Sequence, residues 1–173
     1  MTFPAPPSPF LEVRVHEMRP PAGITALCAG YEQEVWREKQ LAAHLMKWLP
    51  EFALKHSELE ALGAHNAVEL VAKAAKSIYS SEKYKNRGEF GELLLHVALR
   101  QCFKTLPAIA KYFYKDARND TVKGFDAVHV VDSDDALELW LGEVTFYDDV
   151  VRGLSTVITE IEAHLERDYL RGE

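Results

Sequence analysis

The stretch KGFDAVHVVDSDDALELWLGEVTFY, residues 123–147, decides how this chain is read. Phe125 to Val131 alternates as a strand does, with Asp126, Val128 and Val130 on one face. Asp132 to Asp135 crowd into an acidic turn. Leu137 to Phe146 forms a second strand, on which Glu143 shares a face with Leu137, Leu139 and Leu141. An acid on an otherwise apolar face is costly to bury unless it is paired or bound to metal. Two such acids on neighbouring strands point to a divalent cation more firmly than either alone. Hard cations such as Mg²⁺ take one or two carboxylates and complete their shell with water and substrate phosphate oxygens.

Upstream, Gly88-Glu-Phe-Gly-Glu92 leads into a helix over Leu93 to Phe103, with Phe90, Leu93, Leu94 and Val97 on its apolar face. Glu89, Glu92 and His96 are three and four residues apart and share a stripe. A helix N-terminus favours glutamate in any case, so each of the two also has a purely structural explanation. Pro107 is expected to open a helical stretch over Ala108 to Tyr114, and Asn119-Asp120 a turn. Downstream, Asp148 or Asp149 caps a last helix carrying Leu154, Val157, Ile158, Ile161 and Leu165 on one side.

The first half reads as mostly helical. Residues 1–9 are a Pro-rich arm, Leu11 to His16 a short strand, and Pro20 to Ile24 a loop. Val35, Leu41, Leu45 and Trp48 recur at helical spacing and predict a helix over Tyr31 to Trp48. Pro50 ends it or restarts it, with helix continuing over Glu51 to Leu62 and Gly63 as the stop. Asn66 caps a helix to Tyr79, and Ser80 to Asn86 is a polar break. These elements predict an N-terminal arm and helices over 1–80, packing on a core over 81–173.

Composition narrows the function. With 47% hydrophobic and 27% charged residues the chain is of soluble globular type. Its apolar runs fall short of the ~18 residues of a membrane helix. Cys28 and Cys102 make no disulfide framework and suit a reducing, cytoplasmic setting. A net charge of -7 argues against a protein that is basic all over. The charge is uneven, however: residues 73–123 carry 11 basic and 5 acidic side chains, and residues 124–173 carry 3 and 13. A basic segment joined to an acidic one suits a phosphate-facing surface beside a carboxylate cluster, although solvated charged faces produce the same pattern. No Walker-type glycine loop and no zinc spacing is present. His129 reads as a packing or surface residue, and Trp36, Trp48 and Trp140 as core or interface anchors.

Three runs taken together carry a family resemblance: Arg87-Gly-Glu-Phe-Gly-Glu92, Lys123-Gly-Phe-Asp126, and Leu139-Trp-Leu-Gly-Glu-Val-Thr-Phe-Tyr147. Over about residues 80–171 the chain resembles the HamA-type nuclease domain of Hachiman antiphage systems, which is similar to the PD-(D/E)xK nucleases. The resemblance implies an α/β (α+β) fold: a restriction-endonuclease-like core, a small mixed sheet flanked by helices. It implies a Mg²⁺- (or Mn²⁺-) dependent DNA endonuclease working with a helicase subunit. Asp126 and Glu143 would match the motif acids, and Glu92 or Glu89 the helix glutamate. The motif lysine position holds Thr145, and Lys123 is a candidate to supply the missing ammonium. A second reading is therefore a catalytically lapsed nuclease fold that binds DNA or a partner. The usual strand after the last helix has no counterpart, so a partner, a second copy or Leu11 to Val15 is expected to complete the sheet.

Overall fold

A computed structural model describes residues 5–79, 88–108, 125–133 and 136–166. The chain is mixed α and β, and the described residues form three small antiparallel sheets and five helices. Strand β1 (Glu12–Arg19) pairs antiparallel with β2 (Ala22–Cys28) across a turn at Pro20–Pro21. The loop expected over Pro20 to Ile24 thus shrinks to the two prolines, and Ile24 lies in a strand.

The helix expected from Tyr31 begins only at Glu38. Tyr31–Glu32 (β3) and Val35–Trp36 (β4) form a tight hairpin instead, with Gln33 and Glu34 at φ 51° and 65°. Two consecutive positive φ values are what a two-residue hairpin turn of this hand requires. Helix α1 (Glu38–Ala53) then runs through Pro50, which lies in its last turns. Leu54 is extended and breaks the helix before α2 (His56–Glu60). Asn66 precedes α3 (Ala67–Tyr79) as expected. Its carbonyl accepts the Leu70 N–H, while its side chain turns back to accept the Gly63 N–H at 2.8 Å and to donate to the Ala61 carbonyl at 2.9 Å.

The core lies where α1, α3 and α4 (Gly88–Phe103) meet. Leu41, Leu45, Trp48, Leu49, Ala74, Ile78, Leu93 and Val97 are all buried there. Trp48 donates its indole N–H to His44 Nε2 at 2.9 Å, so His44 must accept; burial also lowers its pKa.

The third sheet has the order β5-β6-β7. Leu106–Pro107 forms β5 and pairs with β6 (Ala127–Ser133), so Pro107 sits on a sheet edge rather than at a helix start. An edge tolerates proline because no ladder donor is needed there. The helix expected over Ala108 to Tyr114 and the Asn119-Asp120 turn fall almost wholly outside the described residues. β6 pairs with β7 (Ala136–Gly142) in register, Ala127 opposite Gly142 and Ser133 opposite Ala136. The second strand therefore ends sooner than its alternation predicted. The sheet is antiparallel within the described residues. Among the described residues Leu11 to Val15 do not complete this sheet, since β1 and β2 form a separate two-stranded sheet.

Helix α4 lies across one face of the β6–β7 hairpin. A Cβ on Gly142 would stand 3.2 Å from Leu95 Cδ2, His96 packs edge-on to His129 at 5.2 Å, and Phe103 meets Trp140 at 5.1 Å. The opposite face stays largely open. Leu137 and Leu139 are 69% and 57% exposed, so the apolar face that carries Glu143 is buried only at its far end. The last helix, α5 (Val150–Glu166), starts at Asp149, whose Oδ1 accepts the Arg152 N–H at 2.8 Å. Its Leu154, Ile158 and Leu165 are each more than half exposed.

Candidate functional site

Both motif acids lie just beyond the paired strands, at one end of the hairpin. Extending the register by one residue sets Asp126 opposite Glu143. Asp126 Oδ2 accepts the Val144 N–H at 3.0 Å, which ties the entry of β6 to the exit of β7. Residues 143–147 keep the strand alternation without strand pairing. Val144 and Phe146 face α4: a Cβ on Gly91 would lie 3.2 Å from Val144 Cγ2, and Phe90 meets Phe146 edge-on at 5.7 Å. Glu143 and Thr145 face α5. Thr145 Cγ2 lies 3.4 Å from where a Cβ of Gly153 would sit, and His164 Nδ1 is 2.7 Å from Glu143 Oε1.

Glu143 is enclosed, its side chain only 4% exposed. A carboxylate so far from water must be compensated by protein groups. His164 supplies one such group, and its ring also rests on Phe125 with centroids 5.2 Å apart. Nothing in the local sequence marks His164. Its partner is 21 positions away on another element, so no local spacing could signal it.

Glu92 follows Gly91, so α4 brings it to the same end of the hairpin, with its Oε2 shielded from water. The side chain of Glu89 and the whole of Lys123 lie outside the described residues. Among the described residues no group of three or more His, Cys, Asp or Glu side chains is gathered so that it could hold a metal ion. Asp126 and Glu143 remain an all-oxygen pair at adjacent register positions. Each is already engaged within the protein, Asp126 Oδ2 by the Val144 N–H and Glu143 Oε1 by the neighbouring His164.

His96, which shares a stripe with Glu92, belongs to a different constellation. Glu51 on α1 accepts from Arg100 on α4 twice, Nε at 2.5 Å and a terminal nitrogen at 3.2 Å. His96 Nε2 stands 3.2 Å from the same Glu51 oxygen. Arg100 also donates to the Thr105 carbonyl at 2.7 Å, and the Thr105 hydroxyl meets His129 Nδ1 at 2.7 Å. Burial opposes the charge on Glu51, but hydrogen bonds from His96 and Arg100 prevail and hold its pKa below the usual value. Burial keeps His96 neutral despite its carboxylate neighbour, so Glu51–Arg100 is the ion pair of the cluster. His129 is pushed down to about 3, by burial first and then by His96 and Arg100. As expected, His129 packs on the face away from Asp126. Arg100 is thereby removed from the basic segment as a DNA contact.

A family described as HamA matches residues 8–173. The chain belongs to the HamA family. HamA is the nuclease-like subunit of Hachiman antiphage defence, so this chain is a subunit of such a system. The HamA match reaches well upstream of the motifs that carried the resemblance. It spans the β1–β2 hairpin and helices α1 to α3 as well as the later elements. No curated protein and no solved structure matches the chain. Among the described residues no helix is long and apolar enough to cross a membrane.

Proposed function

We propose that this HamA-family chain is the DNA-cutting subunit of its defence system, a Mg²⁺- (or Mn²⁺-) dependent endonuclease acting with a helicase partner. The observation that supports this reading is the register that sets Asp126 opposite Glu143, with the Glu92 end of α4 packed beside them. When bound, the cation would activate a water and offset charge on the scissile phosphate. Asp126 and Glu143 are the residues to hold it, with Glu92 or Glu89 assisting. Lys123 is the candidate cation for the position that Thr145 leaves without charge. Lys76 and Lys104 are exposed and suited to backbone phosphates, whose contacts give salt-dependent affinity with little sequence information. The uncovered leucines of β7 and α5 offer the helicase an apolar surface.

The test is plasmid cleavage with Mg²⁺ or Mn²⁺, run with and without the helicase. An Asp126→Ala, Glu143→Ala double variant is expected to lose all cleavage, and unchanged cutting removes the site assignment. The second reading, a lapsed nuclease that binds DNA or its partner, is favoured by one observation: Thr145 packs against Gly153, where a longer side chain would have to pass α5. Efficient cutting by the unaltered chain rejects that reading. Cleavage that emerges only in Thr145→Lys supports it.

A further inference from the structure

We propose that the outer edge of β1 is a self-association surface, on which a second copy of this chain pairs antiparallel about a two-fold axis at His16. All eight residues of β1 are exposed, as are the first three of β2. Leu27 packs on the core, the Gln101 amide donates to the Leu11 carbonyl at 2.6 Å, and the His16 ring lies 5.8 Å from Phe103. These contacts hold the ribbon to the body and leave its outer side uncovered. Among the described residues β1 has no neighbouring strand other than β2. A two-stranded ribbon is marginal in water, and an edge without a neighbour is a template for a further strand.

The order of charges along β1 selects the partner. Its ladder with β2 has seven positions: Glu12, Val13, Val15, His16, Glu17, Met18 and Arg19, with Arg14 the extra residue of a bulge before Val15. His16 is the middle position. A dyad there sets Glu12 opposite Arg19 of the second copy, Val13 opposite Met18, and the Arg14–Val15 bulge opposite Glu17. Opposed residues then share a face, as strand pairing requires. Every acid meets a base, and Val13 and Met18, 50% and 57% exposed, cover one another. Moving the dyad by one ladder position brings Glu12 opposite Glu17, or Arg14 opposite Arg19. Like charges directly opposite are destabilising, so only the central register is favoured. Bulges and charges generally protect an edge from pairing. Here the signs run in a self-complementary order, so they exclude other registers and admit this one. Arg14 already reaches Glu12 at 2.5 Å and Arg19 reaches Glu17 at 3.3 Å, which places the four charges on one face. Pairing extends them into a continuous ladder of alternating sign. A contact of this kind is isologous and closes at two copies.

Sedimentation velocity of the full chain tests this without cation or DNA, so its outcome is independent of the proposed function. The unaltered chain is expected to dimerise reversibly as its concentration rises. Arg14→Glu with Arg19→Glu makes every opposed pair acidic, and Glu12→Arg with Glu17→Arg makes every one basic. Each of these variants is expected to self-associate at least about 10-fold more weakly. An equal mixture of the two is expected to restore the dimer, because each acid again meets a base. An unaltered chain that stays monomeric throughout overturns the inference. A dimer that persists undiminished in either variant overturns it too, since that dimer uses another surface. If the variants do not fold, His16→Cys takes their place. Two copies of residue 16 facing across the dyad have Cα atoms about 4.5–5.5 Å apart, within disulfide reach. Covalent dimer in excess of the unaltered chain on non-reducing electrophoresis supports the pairing, and no excess overturns it.

Discussion

Replacing Glu51 with alanine removes the carboxylate that faces a buried guanidinium in the middle of the α1–α4 contact. The side chains of Glu51 and Arg100 are 8% and 6% exposed. Water therefore cannot solvate the cation once its partner is gone. Two charge-assisted hydrogen bonds are lost, at about 1.5–3 kcal/mol each. Breaking a buried pair from one side costs about 3–5 kcal/mol in general, and the two figures agree. Against a total stability of about 5–15 kcal/mol this is a large fraction. For a chain of this length it corresponds to a fall in Tm of about 6–20 °C. Urea unfolding of Glu51→Ala, followed by circular dichroism, measures it. A paired variant, Glu51→Leu with Arg100→Met, removes both charges and is expected to be more stable than Glu51→Ala. It still leaves the Thr105 carbonyl without its Arg100 donor, a residual cost of about 1–3 kcal/mol. A loss below about 1 kcal/mol in Glu51→Ala would refute the picture of a dry ion pair joining the two helices.

Acid should destabilise the same cluster before any carboxylate titrates. His129 has a pKa of about 3 when folded against 6.5 when unfolded, so between those values the unfolded chain takes up a proton that the native state refuses. Stability is complete above about pH 6.5 and is lost progressively toward pH 3. From this group alone the loss between pH 8 and pH 5 is about 2 kcal/mol, and His96 adds in the same direction. Urea unfolding at the two pH values checks it, and a His129→Gln variant with an undiminished pH dependence would reject the assignment. A further expectation concerns Gly91. Gly91→Leu must displace Val144, costing about 1–3 kcal/mol of overpacking. Because the Val144 N–H holds Asp126, Mn²⁺ binding should weaken as well. A variant that loses stability but binds Mn²⁺ normally would show that the α4 contact and the acid pair are independent.

The parts of this fold that announce themselves in the sequence are those governed by neighbours in the chain. Alternation over 125–131 and 137–142 marks β6 and β7 because period two follows from strand geometry alone. Asp149 marks the start of α5, and the apolar spacing of Leu93, Leu94 and Val97 marks α4, through equally local rules. Even the opposition of Asp126 and Glu143 follows from a short hairpin with an acid near each end. The Gln33-Glu34 turn escaped because it lacks the glycine or asparagine that usually signals positive φ. Other features have no local signature at all. Glu51 and Arg100 are 49 residues apart, and Glu143 and His164 are 21 apart. Glu51, Arg100 and His164, taken singly, look like ordinary surface groups on a helix, and only Glu143 stands out, on its apolar strand face. Only the packing of α1 on α4, and of α5 against residues 143–145, turns them into buried partners. Burial and pairing are properties of the assembled surfaces, and the spacing of residues along one element does not contain them.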